Sequence, residues 1–201
     1  MKRKIEKTVI RYGKDGKITA VYKPPEENTG KWSSAMDWIS SVVVAFFAIF
    51  LIFTFLFRAV SVSGSSMVPT LRDKDWLAIT NFNYTPQKGD IVVVTQPNDF
   101  NEPIIKRIIG TGGDTIDIDF VKGIVYRNGE ALIEDYTNTP TNLSYDVSFP
   151  VTVPEGFVFV MGDNRNNSLD SRSTEVGLVD ERYLLGKVAF RFIPVGKFSV
   201  R

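Results

Sequence analysis

The distribution of apolar and polar residues divides the chain into three parts. Residues 1–37 are mostly polar, residues 38–57 are almost uniformly apolar, and residues 58–201 contain short apolar runs separated by polar turns. A long uninterrupted apolar run indicates a helix in a nonpolar environment, whereas short runs between turn residues indicate β-strands. We therefore predict one long apolar helix followed by a domain that consists mostly of β-strands.

The apolar segment 38–57 carries no charged side chain, and Arg58 follows it directly. At ~1.5 Å per residue, a helix of this length spans ~30 Å, the thickness of the hydrocarbon layer of a bilayer. We predict a transmembrane helix, with a buried core helix and a cleavable signal peptide as alternatives. A small domain could hardly cover a helix that is apolar on all sides, and the run is long for a signal peptide.

The leader 1–37 contains nine basic and five acidic residues. Because an excess of Lys and Arg favours the cytoplasmic side of a membrane, we predict a cytoplasmic leader and an extracytoplasmic domain 58–201. Within the leader, Thr8–Tyr22 is compatible with either a small hairpin or disorder, and Pro24 with Pro25 indicates a linker. We expect the leader to be partly disordered.

The domain 58–201 has the pattern of an antiparallel β fold. The dipeptide Asn128-Gly129 lies between two apolar runs, which is a strong hairpin signal. No long 3.6-residue periodicity occurs in this region. We predict a mostly antiparallel β-sheet domain with a surface loop at 136–150 and strands at Trp76–Thr80, Ile91–Thr95, Ile104–Ile109, Thr115–Ile118, Phe157–Met161 and Leu185–Ile193.

Composition narrows the chemistry of this domain. The chain has 24 Lys and Arg against 23 Asp and Glu, with no long basic stripe, which argues against a general nucleic-acid binder. It contains no cysteine and no histidine, so disulfides, a thiol nucleophile, a Ser-His-Asp triad and the usual zinc sites are excluded. A hydrolase with this sequence must take its base from Lys, Asp, Glu, Tyr or a chain terminus.

Lys106 and Arg107 lie inside the apolar run Ile104–Ile109. Strand alternation places them on opposite faces, so one of the two cations is a candidate for burial. Burying an ammonium costs several kcal/mol unless its pKa falls, and a lysine with a depressed pKa can act as a general base. The alternative is an edge strand on which both cations reach solvent.

Two further clusters contain candidate functional side chains. Ser63–Leu71 is rich in small and hydroxyl residues, which suits either an exposed serine nucleophile or a simple linker. Gly162–Arg172 is a dense polar loop in which Asp170 and Arg172 could pair; the alternative is a mobile surface turn.

Together these clusters resemble the conserved boxes of bacterial type I signal peptidases, the leader peptidases that use a Ser-Lys dyad. The resemblance is carried by the runs SMVPTL, KRIIGTGGD and GDNRNNSLDSR and by Lys88–Val94. The four boxes follow the family's order after an apolar segment. The resemblance covers residues 38–201, and the leader 1–37 lies outside it.

The resemblance implies a role for particular positions. Ser66 falls on the nucleophile, Lys106 on the general base and Ser168 on the serine that orients the lysine amine, while Asp170 and Arg172 fall on a supporting pair. In some members the residue two before the nucleophile is a serine that donates to the oxyanion; here it is Gly64, so we expect the Gly64 backbone or a water to donate instead. The positions that fall on the substrate-binding site are Val60, Val62, Gly64, Met67, Leu71, Ile104 and Ile105.

By this resemblance the chain is expected to be a single-pass enzyme of the cell membrane that cleaves signal peptides from exported preproteins, without a metal or cofactor. The implied partners are preproteins, the lipid bilayer and the secretion translocon, and no nucleic acid. Three alternatives remain: a self-cleaving repressor of the SOS type, a relative specialised in pilin processing or pilus assembly, and a catalytically dead anchored scaffold. A repressor would need a helical DNA-binding domain, for which 1–37 is too short.

Overall fold

The structure is a computed structural model that describes residues 10–12, 14–16, 18–21, 31–96 and 102–194. The chain forms two compact units, Met1–Phe50 and Leu51–Arg201. The disorder predicted for parts of 1–37 concerns residues that are outside the described ranges.

In the first unit, β1 (Ile10–Tyr12) and β2 (Ile18–Val21) pair antiparallel, with Ile10 opposite Val21. This is the hairpin alternative for the leader. Helix α1 (Lys31–Leu56) follows, and its sequence contains no Gly or Pro that would interrupt it.

Among the described residues, no helix combines the length and the apolar character that crossing a membrane requires. The transmembrane helix predicted at 38–57 is therefore not confirmed. The side chains at 52, 53 and 55 of that segment lie outside the described set.

The second unit is built from antiparallel strands, as the alternation of its apolar runs predicts. The strands are β3 (Arg58–Ser61), β4 (Trp76–Thr80), β5 (Ile91–Val94), β6 (Ile104–Thr111), β7 (Thr115–Asp119), β8 (Ile124–Arg127), β9 (Glu130–Ala131), β10 (Val151–Thr152), β11 (Phe157–Met161), β12 (Val179–Asp180) and β13 (Leu184–Ile193), and a 3-10 helix covers Glu181–Tyr183. The larger sheet has the order β12-β11-β6-β5-β13-β4-β3, and the smaller has the order β10-β7-β8-β9. The predicted hairpin is present, since Arg127 pairs with Glu130 across Asn128-Gly129.

The last strand occupies a central place in the larger sheet. β13 pairs with β4 on one side and with β5 on the other. It therefore joins two pairs of strands. β3 and β4 flank Ser66 in sequence, while β6 carries Lys106 and β5 adjoins β6.

β6 lies between β5 and β11 in the larger sheet, and the burial of its two cations excludes the alternative in which both reach solvent. It pairs with β5 from Ile104, but its pairing with β11 begins only at Arg107. Both cations are buried, Lys106 to 4% exposure and Arg107 to 0%. Among the described strands, Ile104–Lys106 therefore has a partner on one side alone.

Three apolar clusters form the core of the second unit. One lies under β3 and β4 and contains Leu77 and Ile79, the second lies between β5 and β11, and the third joins β11 to the smaller sheet through Phe159. Arginines are also fully buried, and each has a carboxylate partner: Arg107 with Asp163 at 2.7 Å, Arg165 with Glu134 at 2.5 Å and Arg172 with Asp170 at 2.8 Å.

The buried pair between Arg107 and Asp163 predicts a large stability effect. Asp163→Asn removes one charge and leaves the Arg107 guanidinium buried without a counterion, which should lower the free energy of unfolding by about 3 kcal/mol. Urea denaturation followed by circular dichroism measures the change.

The matched control is Asp180→Asn, because Asp180 pairs with Arg182, whose side chain is 85% exposed. Water screens that pair, so its denaturation midpoint should hardly move. Equal losses of unfolding free energy in the two variants would show that burial does not increase the contribution of the Arg107–Asp163 pair to stability.

Candidate active site

Ser66 and Lys106 meet in the second unit although 40 residues separate them. Lys106 Nζ lies 3.0 Å from Ser66 Oγ and 3.2 Å from the Ile105 carbonyl oxygen. Ser66 stands in the turn after β3, and Lys106 stands on β6 before the pairing with β11 begins. A hydroxyl and an amine at this distance can exchange a proton directly.

The surroundings of Lys106 favour its neutral form. Burial lowers the pKa of the Lys106 amine to about 8, the Asp170 and Asp163 carboxylates oppose this shift, and the Arg172 guanidinium adds to it. Removing an ammonium from water disfavours its charge, so a sizeable fraction of the amine is neutral near pH 8. Sequence alone left open whether either cation of β6 is desolvated.

The polar loop after β11 holds the turn that carries Ser66. The Asn164 backbone N–H donates to the Ser66 carbonyl oxygen at 2.9 Å, and Asn164 Nδ2 donates to the Ser65 carbonyl oxygen at 3.1 Å. Asn167 Nδ2 donates to Ser65 Oγ at 3.0 Å. The sequence shows this loop only as a dense polar cluster, because nothing local links Asn164 or Asn167 to residues about a hundred positions earlier.

Gly162 allows this loop to approach the turn closely. A Cβ placed on Gly162 would lie 2.5 Å from the Ser66 carbonyl oxygen and would also collide with Ser168 Oγ. The Gly162 backbone N–H donates to Asp170 Oδ2 at 2.9 Å. A residue with a side chain at this position would push the loop away from Ser66.

The Gly64 backbone differs from our expectation. Its φ is +90°, a conformation that favours glycine, and its N–H donates to Asp73 Oδ1 at 3.1 Å. Of the two oxyanion donors expected, the Gly64 backbone and a water, the first is engaged by Asp73 in this structure. Asp73 was not identified from the sequence.

Ser168 also differs from the expectation. The hydrogen bond expected between Ser168 and Lys106 is absent: Ser168 is buried, and within the described residues its Oγ has no hydrogen-bond partner. The Lys106 amine instead contacts Ser66 Oγ and the Ile105 carbonyl oxygen. A buried hydroxyl without a partner is uncommon, and it lies here beside Gly162 at the edge of the site.

Asp170 and Arg172 form a fully buried pair under the polar loop. Arg172 Nε and one of its terminal nitrogens contact the two Asp170 carboxylate oxygens at 2.8 and 2.9 Å. The remaining guanidinium donors reach the carbonyl oxygens of Arg165 at 2.7 Å and Leu143 at 2.9 Å. The pair therefore ties together the loop and a neighbouring chain segment.

A cleft of about 740 Å³ contains Ser66 and Lys106. Of the residues predicted to bind substrate, four line it: Val60, Gly64, Ile104 and Ile105. The other three, Val62, Met67 and Leu71, are not in its wall and lie in the apolar cluster under β3 and β4. The structure thus places these three side chains in the apolar core beside the cleft, and their predicted contact with substrate stays a prediction.

No group of three or more metal-ligating side chains is arranged for an ion among the residues that the structure describes. The chemistry available in the cleft is that of a serine hydroxyl beside a partly neutral, desolvated amine. Such a pair suits nucleophilic attack on a carbonyl carbon with the amine as base.

Comparison with known proteins points the same way. The chain matches the family model described as signal peptidase, peptidase S26, over residues 35–193. Signal peptidase I of Bacillus licheniformis is 35% identical over 179 residues, which cover 84% of this chain and 94% of that protein; signal peptidase IB of Staphylococcus aureus is 33% identical over 184 residues, covering 82% and 92%. A crystal structure of a signal peptidase I from Enterococcus faecalis V583 is 34% identical, with a TM-score of 0.42, over 52% of this chain and 97% of that chain. The chain is therefore a peptidase that belongs to the signal peptidase family, peptidase S26.

Proposed function

We propose that this protein is a membrane-bound serine endopeptidase that removes N-terminal signal peptides from exported preproteins, with Ser66 as nucleophile and Lys106 as general base. The observation that carries the proposal is the 3.0 Å contact between Ser66 Oγ and the amine of Lys106, a residue that is only 4% exposed. Family membership supports the substrate class, because the relatives are signal peptidases.

Neutral Lys106 accepts the proton of the Ser66 hydroxyl while Oγ attacks the scissile carbonyl carbon. The resulting Lys106 ammonium protonates the leaving amine, and an acyl-enzyme remains on Ser66. Lys106 then takes a proton from a water that attacks the ester, which releases the acid product and restores the hydroxyl.

The developing oxyanion needs preorganised donors. We assign one to the Ser66 backbone N–H, since Asn164 binds the carbonyl oxygens of Ser65 and Ser66, the carbonyls directly before and after that N–H. The Gly64 N–H is held by Asp73, so a water is the second donor.

Ser168 acts on the charged form of Lys106. An ammonium has three donors, and Ser66 Oγ and the Ile105 carbonyl oxygen are placed to accept two of them. The unpartnered Ser168 Oγ accepts the third after the amine has taken the Ser66 proton. Asp170 and Arg172 support this arrangement by holding the loop that carries Ser168.

The substrate lies extended along Ile104–Lys106, where β6 has β5 on one side and no strand partner in the described sheet on the other. An added strand would make main-chain hydrogen bonds to this edge. Val60, Ile104 and Ile105 form the apolar wall beside it, and shallow pockets there accept small side chains before the cut.

Helix α1 anchors the enzyme in the cell membrane, with the leader in the cytoplasm and the catalytic domain outside it. All described side chains from Ala35 to Leu51 are exposed, on every side of the helix. The hydroxyls of Ser40 and Ser41 donate to the Asp37 carbonyl oxygen, so they can enter a nonpolar layer without an unpaired donor. Anchor and signal peptide would then share one membrane surface, which raises the effective substrate concentration.

Ser66→Ala tests the nucleophile. Removing Oγ should lower the rate of preprotein cleavage by at least about 10³-fold, because no other group can form the acyl-enzyme. The measurement is cleavage of a purified preprotein in gel-based time courses. Ser63→Ala removes a hydroxyl from the same cleft and should keep most of the activity; equal activity of Ser66→Ala and wild type would exclude Ser66 as nucleophile.

The pH dependence tests the base. Since the neutral amine is the active form, the rate should rise with pH through the Lys106 pKa of about 8 and level off above it. Lys106→Arg should be inactive, because guanidinium stays protonated. Activity regained in Lys106→His should have its pH limb shifted towards ~6.5.

Lys122→Arg is the matched control for that series, since Lys122 is a largely exposed lysine outside the cleft. Its pH profile should coincide with that of wild type. A Lys106→Arg variant that works near the wild-type rate would rule out the Ser-Lys mechanism.

The absence of cysteine allows a direct test of topology. Single cysteines at Val121, which is 93% exposed, and at Lys14, which is also exposed, place one label site in each compartment. An impermeant maleimide added to spheroplasts should label Val121→Cys, and Lys14→Cys only after the membrane is opened. The reverse pattern would invert the topology, and labelling of both before permeabilisation would contradict a membrane-spanning anchor.

A further inference from the structure

A chain segment outside the four family-like motifs reaches the cleft and forms part of its wall. The Leu143 N–H donates to Asn166 Oδ1 at 3.0 Å, and the Leu143 carbonyl oxygen accepts from Arg172 at 2.9 Å. The backbone of Leu143 is thus held on both sides. Its side chain is 37% exposed and lines the cleft.

Tyr145 stands beside Leu143 in the same wall and is held equally firmly. Its hydroxyl donates to the Ser168 carbonyl oxygen at 3.0 Å, and the Arg172 guanidinium carbon lies 5.4 Å from the ring centre. A side chain fixed at its tip and over its face is preorganised to bind, because little rotamer freedom remains to be lost.

The cleft therefore has two walls of different origin. Val60, Ile104 and Ile105 come from β3 and β6, and under the proposed function they accept the residues before the cut. Leu143, Tyr145 and Leu169 come from the polar loop and the segment pinned to it. An endopeptidase substrate continues past the scissile bond, so the chain after the cut must leave Ser66 along a different surface from the chain before it.

We propose that Leu143 and Tyr145 form a subsite for the side chain of one of the first three residues after the scissile bond. The inference rests on the proposed function and extends it to the other half of the substrate. Leu143 and Leu169 offer apolar contact, Tyr145 offers a ring, and Asn167 adds a carboxamide at the edge. This wall, as far as the structure describes it, presents no charged side chain to the cleft, so it favours uncharged side chains in the mature chain.

A charge placed at Leu143 tests the subsite. The substrates are preproteins that carry either Lys or Glu at the first, second or third position after the cut. For wild type, Leu143→Glu and Leu143→Lys, the measured quantity is the ratio of kcat/KM for the Lys substrate to kcat/KM for the Glu substrate. Relative to wild type, the ratio should rise about threefold in Leu143→Glu and fall about threefold in Leu143→Lys at one of these positions. Because each ratio compares two substrates of one enzyme preparation, partial loss of folded protein cancels.

Ile133→Glu is the control, since Ile133 is 92% exposed and lies outside the cleft. It should leave the ratio unchanged at every position, and a Lys or Glu two residues before the cut should give no shift in the Leu143 variants. Unchanged ratios at all three positions after the cut, or an equal shift in Ile133→Glu, would overturn the subsite. Failure of the wild-type enzyme to cleave the parent preprotein, which carries uncharged residues at these three positions, would instead overturn the proposed function.

Discussion

The desolvation of one amine is the constraint on which the rest of the site depends. Lys106 stays partly neutral because it is buried, and that state would be lost if an uncompensated negative charge were placed beside it. The structure nonetheless buries three arginines and their carboxylates close by. Each of these cations has its own anion, and the Arg172 guanidinium acts on the pKa of the amine in the opposite direction to the Asp170 carboxylate beside it.

Most of the contacts that hold the Ser66 turn come from one loop. A single loop supplies hydrogen bonds to the Ser66 turn through Asn164, the close approach through Gly162 and the buried pair of Asp170 with Arg172. The Tyr136 ring lies 4.0 Å from the Arg107 guanidinium carbon and covers the neighbouring ion pair. Ser66 is therefore held by contacts between distant segments as well as by the turn between two strands in which it stands.

Local sequence patterns predicted much of this arrangement. Alternation and turn residues located most strands of the second unit, and Asn128-Gly129 located a hairpin. Because the chain contains no histidine, Lys106 became a candidate for the general base. Patterns could not reveal that Asp73 occupies the Gly64 N–H, that Ser168 has no partner, or that Met67 and Leu71 are core residues. The Asp73 contact depends on how the chain folds back over nine residues, and the other features depend on packing between distant segments, which neither propensity nor a motif encodes.

The position of β13 has a consequence for the order of synthesis. β4 and β5 are both paired with β13, which comes after Ser66 and Lys106 in the chain. A ribosome-bound chain that has already released Ser66 and Lys106 still lacks the strand that joins their supports and the loop that fixes the Ser66 turn. The Ser66–Lys106 arrangement can therefore be completed only after β13 has been synthesised.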